Sequence, residues 1–225
     1  MARIIKIMKT PKLVIGNKNY SSWSLRAWLI LAKLNIQFEE VRVPLFCEGY
    51  KEKLLQYSPT GKVPVYLEDD LVVWESLAIA EHFVERYPTL LPRDLQQRAK
   101  ARSLAAEMHS GFSSLRSQMP MNCRASDRHV ELTPGLADDI KRIQTIWTTC
   151  RSDNSQNGSW LFGDFTIVDA MYAPVVFRFN TYGVKCDRLG RQYMNMMLND
   201  PDIKCWFEAA KNEPEIIEKV EVGKK

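Results

Sequence analysis

The apolar pattern changes character at Tyr87-Pro88-Thr89-Leu90-Leu91-Pro92-Arg93, and that break limits what the chain can fold into. Before it, short strand-like runs alternate with helical stretches; after it, every apolar pattern keeps the helical spacing of three and four. Leu13-Val14-Ile15-Gly16 reads as a strand, and after the polar turn Asn17 to Ser22 a helix carries Leu25, Trp28, Leu29 and Ala32 on one face. Phe38 to Pro44 alternates polar and apolar as a half-buried strand does. Glu48 to Tyr57 reads as a short irregular helix, and Ser58 to Lys62 is turn chemistry. Val63 to Leu67 and Leu71 to Val73 pair as a hairpin around Glu68-Asp69-Asp70, and Trp74-Glu75-Ser76 opens a helix to about Tyr87. The order is β-α-β-α-β-β-α, which places an α/β domain at residues 11–88. The two prolines then read as an inter-domain linker.

Residues 94–215 read as an all-helical domain. Leu104, Met108, Phe112, Leu115 and Met119 stripe one helix from Asp94 to Met119, ended by Pro120. Met121 to Pro134 reads as a loop, and Leu136, Ile140, Ile143, Trp147 and Cys150 mark a second long helix. Arg151 to Ser159 is polar and short-sided, so mobile surface is expected. Thr166 and Asp169 stand at capping-box spacing, a folding feature, in which Thr166 accepts from the residue 169 N–H and Asp169 reaches back. The helix after it, Ala170 to Phe177, is apolar nearly all round and should be the buried centre of this half, with a kink at Pro174. Two further helices are expected near Leu189 to Leu198 and Ile203 to Lys211, then a loose charged tail from Asn212.

Composition excludes more than it selects. A chain of 225 residues can bury a real core. Its net charge of +4 is spread over many segments, so it points to neither nucleic acid nor a membrane surface as partner. Cys47, Cys123, Cys150, Cys186 and Cys205 are widely spaced, with no C-x-x-C and no zinc-like Cys/His cluster, so free thiols and no metal are expected. Met1 to Lys9 is too short and charge-broken for a signal peptide, and no run approaches the roughly 20 apolar residues of a membrane helix. These features lead us to expect a soluble cytoplasmic protein.

Ser21 and Ser22 sit where a strand feeds a helix N-terminus. The first N–H groups of a helix lack intrahelical partners, and the dipole there favours negative charge. Such a serine either caps the helix or helps to hold an anion.

Four local features, in order along nearly the whole chain, resemble the cytosolic glutathione transferase family. Ser21-Ser22-Trp23-Ser24-Leu25-Arg26 looks like the S-S-x-S-x-R turn of the zeta class, the maleylacetoacetate isomerase group. Lys62-Val63-Pro64 resembles the family's turn with a cis proline, Glu75-Ser76 its E-S pair, and Phe165 to Asp169 its capping box. Met108 to Phe112 and Met119 to Arg124 look like a bacterial branch of the superfamily. Trp23 stands where the zeta class usually has Cys, and Lys62 where it usually has Gln.

The resemblance implies a thioredoxin-like α/β N-terminal domain followed by an all-α domain, the glutathione transferase fold. It implies glutathione as co-substrate, with Ser21 as hydrogen-bond donor to the sulfur and Ser22 or the Trp23 N–H as second choices. Val63, before Pro64, would meet the cysteinyl part of the tripeptide; Glu75 and Ser76 would hold the γ-glutamyl end. Lys62 would either reach the glycyl carboxylate or simply be exposed, and Arg26 would add positive potential, form a salt bridge or lie on a solvated face. Met108, His109, Phe112 and Arg116 are the weaker candidates for walls around a small hydrophobic electrophile. A homodimer and glutathione conjugation follow by the same resemblance. Isomerisation, peroxide reduction and a non-catalytic protein-binding role on the same fold stand as alternatives.

Overall fold

The computed structural model describes residues 10–224. Four short strands, β1 (Lys12–Ile15), β2 (Glu39–Arg42), β3 (Val65–Glu68) and β4 (Leu71–Trp74), form one mixed sheet in the order β2-β1-β3-β4. β1 runs parallel to β2 and antiparallel to β3, which turns back into β4. Successive side chains of a strand face opposite ways, and β1 uses both faces. Leu13 and Ile15 join the main core, whereas Val14 packs in a smaller cluster with Val43, Leu54 and Val65. Helices α1 (Ser22–Lys33) and α3 (Ser76–Arg86) cover the first face, and the short α2 (Tyr50–Leu55) contributes Leu54 to the second. The β-α-β-α-β-β-α order expected from the sequence is therefore present, and the Val63–Pro64 peptide bond is cis.

Beyond a 3₁₀ turn at Pro88–Leu90, the chain is helical: α4 (Leu95–Ser110), α5 (Ser113–Gln118), α6 (Pro134–Asp153), α7 (Ile167–Thr181), α8 (Arg188–Asn199) and α9 (Pro201–Lys211). α7 is the buried centre, with nearly every residue from Ile167 to Phe179 out of contact with solvent, and it continues helically through Pro174. α1 and α4 both pack on it, so one hydrophobic core runs through both halves. The Asp169 carboxylate accepts from the Thr166 N–H at 2.9 Å and from the Thr166 hydroxyl at 3.0 Å. It also accepts from Leu161 N and from the Tyr193 hydroxyl, so it ties three segments rather than one cap.

Three expectations fail. The stripe from Leu104 to Met119 is not one helix: α4 stops at Ser110, Gly111 is extended, and Phe112 takes a left-handed φ of 60°. Arg116 causes the break locally. Its guanidinium donates to the carbonyls of Met108, His109 and Gly111, the groups a helix C-terminus leaves unpaired. The apolar period survives because α5 carries Leu115 into the same core. Next, Arg151 to Ser159 is surface as expected, exposed except at Arg151 and Asn154, but it is tied down. α6 extends to Asp153, and the half of the segment nearest it is anchored by Arg151, bonded to the carbonyls of Gly158 and Trp160, and by buried Asn154, bonded to those of Cys150 and Leu161. Finally, the tail from Asn212 is a strap: Glu213 and Ile217 are buried, and Glu213, Glu215 and Glu221 bind residues of the N-terminal half and of the 121–134 loop.

All five cysteines are free. No helix among the described residues is long and apolar enough to cross a membrane, and none of their His, Cys, Asp and Glu side chains group as a metal site would require.

Candidate active site

The turn between β1 and α1 is held from both halves of the chain. Asn17 O accepts from Ser21 N at 2.8 Å, closing the turn. The Glu213 carboxylate accepts from Lys18 N at 2.7 Å and Asn19 N at 3.0 Å, and Asn19 bonds Asn122 and Arg124. Ser21 caps α1: its Oγ accepts from Ser24 N at 3.3 Å and lies 2.7 Å from Ser24 Oγ. Ser24 Oγ in turn accepts from Gly16 N at 3.0 Å. With the Ser24 proton directed at Ser21, Ser21 Oγ receives two hydrogen bonds and keeps its own proton for a ligand. Ser22 opens the helix, and the Trp23 backbone N–H has no acceptor among the described residues.

These groups face a cavity of about 620 Å³. Ser21, Ser22, Trp23, Lys62, Val63 and Arg116 line it, so six of the residues singled out in the sequence come together. Other parts of the wall were not legible in sequence, among them Phe46, Tyr50 and Leu55 around α2, Met121, Arg178 from α7, and Val220 from the C-terminal strap. Phe46 and Leu55 are exposed apolar side chains outside any motif, and only the fold brings these residues together.

The other candidates lie elsewhere. Pro64 is buried behind Val63. Glu75 is exposed at the start of α3 with φ of 68°, and Ser76 beside it is fully buried, its Oγ without a hydrogen-bond partner. Met108 and Phe112 do not line the cavity; both are core, Met108 because α4 turns that face onto α7 and Phe112 because its ring packs edge-on against Tyr172 of α7. His109 sits one step off the stripe and packs edge-on against Trp23 at 5.3 Å. Burial, with Arg26 beside it, pushes its pKa down, so the imidazole is neutral at pH 7.

Arg26 departs most from expectation. It is fully buried, with Nε donating to Met171 O at 3.1 Å and its guanidinium over the Trp23 ring at 4.5 Å. The Arg116 guanidinium lies 4.7 Å from the same ring. Arg178, also buried, donates to Met119 O, to Arg116 O at 3.4 Å and to Ser22 Oγ at 3.3 Å. None of the three forms a salt bridge among the described residues, and burial followed by mutual repulsion lowers the pKa values of Arg26 and Arg178. Arginine nonetheless stays charged at neutral pH. The site is thus a positively biased pocket at a helix N-terminus, with two serine hydroxyls at its floor and no carboxylate on its wall.

Residues 20–86 match the family described as "Glutathione S-transferase, N-terminal domain". That match lies within the α/β half of the chain. A solved structure of a glutathione transferase homolog from Burkholderia gl BGR1, with bound glutathione, superposes with a TM-score of 0.70 at 24% identity, covering 91% of this chain and 100% of that one. The described residues therefore have the glutathione transferase fold. A probable maleylacetoacetate isomerase of Caenorhabditis elegans is 38% identical over 110 residues, 48% of this chain and 51% of that protein, so the chain spans about half its length. A probable glutathione S-transferase of Oryza sativa subsp. japonica is 23% identical over 222 residues, 92% of this chain and 94% of that one.

Proposed function

We propose that the protein binds glutathione, ionises its thiol at the start of α1 and delivers the thiolate to a small hydrophobic electrophile. The observation that carries this is the Ser21–Ser24 pair facing the cavity beside an unpaired helix N–H. A free thiol has a pKa near 8.5, and lowering it by about two requires about 2.7 kcal/mol of preference for the anion. A hydrogen bond to a charged acceptor supplies about 1.5–3 kcal/mol. The helix N-terminus adds about 0.3–1 kcal/mol. Together these suffice without a buried general base.

In this reading Ser21 donates to the sulfur, with Ser22 and the Trp23 N–H beside it. Val63, ahead of the cis peptide bond, meets the cysteinyl backbone as an added strand would. Ser76 offers its unpaired hydroxyl to the γ-glutamyl carboxylate and Glu75 meets the ammonium. Lys62, exposed at the cavity rim, reaches the glycyl carboxylate. The electrophile occupies the apolar wall of Phe46, Tyr50, Leu55, Met121 and Val220. Residues 11–88 form the glutathione-binding domain and 94–215 the helical domain, in a cytoplasmic homodimer.

The C. elegans relative favours a second reading, glutathione-dependent isomerisation, which uses the same thiolate. Retention on immobilised glutathione and turnover of a chloronitrobenzene test the first reading. Retained protein that turns over only a cis-configured unsaturated keto acid supports the second. A protein neither retained nor active on either compound removes both.

A further inference from the structure

We infer that Arg178 governs the ionisation of the bound sulfur by acting through Ser22, as a positioning residue. The inference rests on the glutathione reading above and deepens it. Arg178 sits in α7, 156 positions from Ser22, yet its Nη2 lies 3.3 Å from Ser22 Oγ and both residues line the cavity. A guanidinium can only donate, so Ser22 Oγ is the acceptor in that bond. The Ser22 proton must then point elsewhere, and no acceptor for it exists among the described residues. The hydroxyl is held with its oxygen toward the arginine and its proton free toward the cavity.

The charges around Arg178 say what that proton awaits. The titratable groups facing it are Arg116 from α5, Tyr182 from the end of α7 and Cys123 from the 121–134 loop, with Arg26 of α1 beyond Arg116. Burial raises the pKa of both Tyr182 and Cys123, so each is neutral at pH 7. A buried cation surrounded by cations and neutral groups is costly unless an anion completes the site. When the thiol of glutathione releases its proton to bulk water, the thiolate accepts a hydrogen bond from the Ser22 hydroxyl. Ser22 stays a hydroxyl throughout, polarised by the arginine behind it, and the anion meets the charge the fold leaves unpaired.

The thiolate absorbance of the protein–glutathione complex, followed against pH, tests this. Arg178→Met is expected to move the thiolate midpoint up by about one pH unit, about a tenfold loss of thiolate below the midpoint. Ser22→Ala should shift it as far, and the double variant no further than either, because the two act in series. Arg178→Lys, which keeps a charge and a donor, should recover part of the shift, whereas a purely structural role predicts no recovery. An unshifted midpoint in Ser22→Ala, or shifts that add in the double variant, overturns the inference while leaving glutathione binding intact. If Arg178→Met does not fold, Ser22→Ala and Arg178→Lys decide it. Wild-type protein that binds no glutathione overturns this inference together with the reading beneath it.

Discussion

Ser76, outside the cavity lining, is one of several polar side chains with a buried, unpartnered atom, Arg26 and His109 among them. Its Oγ is fully buried and bonds nothing, although an unmade hydrogen bond there costs about 1–3 kcal/mol. A ligand that supplies the partner recovers that cost on binding. Ser76→Ala should therefore leave the melting temperature unchanged or higher, and raise KM for glutathione about tenfold with kcat nearly constant. Steady-state kinetics beside a thermal melt check both halves; a lower melting temperature with an unchanged KM would place the hydroxyl in folding alone. Ser21→Ala has the opposite profile. It removes an N-cap, costing about 0.5–2 kcal/mol of stability, and it should lower kcat at neutral pH more than it raises KM. Ser21 and Ser76 were legible because helix starts have local signatures. Arg26 was not: a lone arginine within an apolar helix face carries no sequence mark of burial.

At the scale of the element, α7 depends on a carboxylate kept out of water. Burial pushes Asp169 up to about 6, against hydrogen bonds from Leu161, Thr166 and Tyr193 that favour its charge. The folded state thus holds this proton more tightly than the unfolded chain, where an aspartate titrates near 3.9. Its contribution to stability is full below about pH 4 and is lost as pH rises through about 6. Denaturant melts should show wild-type stability declining over that window relative to Asp169→Asn, with no such difference between pH 7 and 8. Asp169→Asn should also cost about 1.5–3 kcal/mol at neutral pH, because its NH₂ must face donors on one side or the other. The cap itself was readable from Thr166 and Asp169. Its reach to Leu161 and Tyr193 was not, since those contacts depend on how α7 meets α8 and the preceding loop. The split between α4 and α5 was hidden for a similar reason: the stripe keeps its period across Gly111, and only the Arg116 side chain closing back on α4 exposes the break.

Across the whole molecule, the C-terminal strap and the first turn form one unit. Glu213 holds Lys18 N and Asn19 N, Arg124 binds the Glu213 and Glu215 carbonyls, and Glu221 gathers Tyr20, Asn122 and Arg128. Glu213→Ala leaves two buried N–H groups unpaired next to the sulfur site. Glutathione affinity should fall about tenfold and amide exchange at Lys18 and Asn19 should quicken, as isotope exchange read by mass spectrometry would register. Burial pushes the Glu221 pKa up, but its three hydrogen bonds hold it below the usual glutamate range. That attachment is present above about pH 4.3 and is lost as pH falls below it, so exchange across 213–223 should rise first on acidification.

Local patterning marks most of the strands and helices, the turn ahead of α1 and the cap of α7. Each rests on residues within a few positions of one another, where spacing and side-chain chemistry act directly. Long-range packing sets the meeting of Arg178 with Ser22, the reach of Glu213 to Lys18 across 195 positions, and the one wall shared by Phe46, Met121 and Val220. Contacts between distant segments are chosen by how whole faces bury against each other, and no local period carries that information.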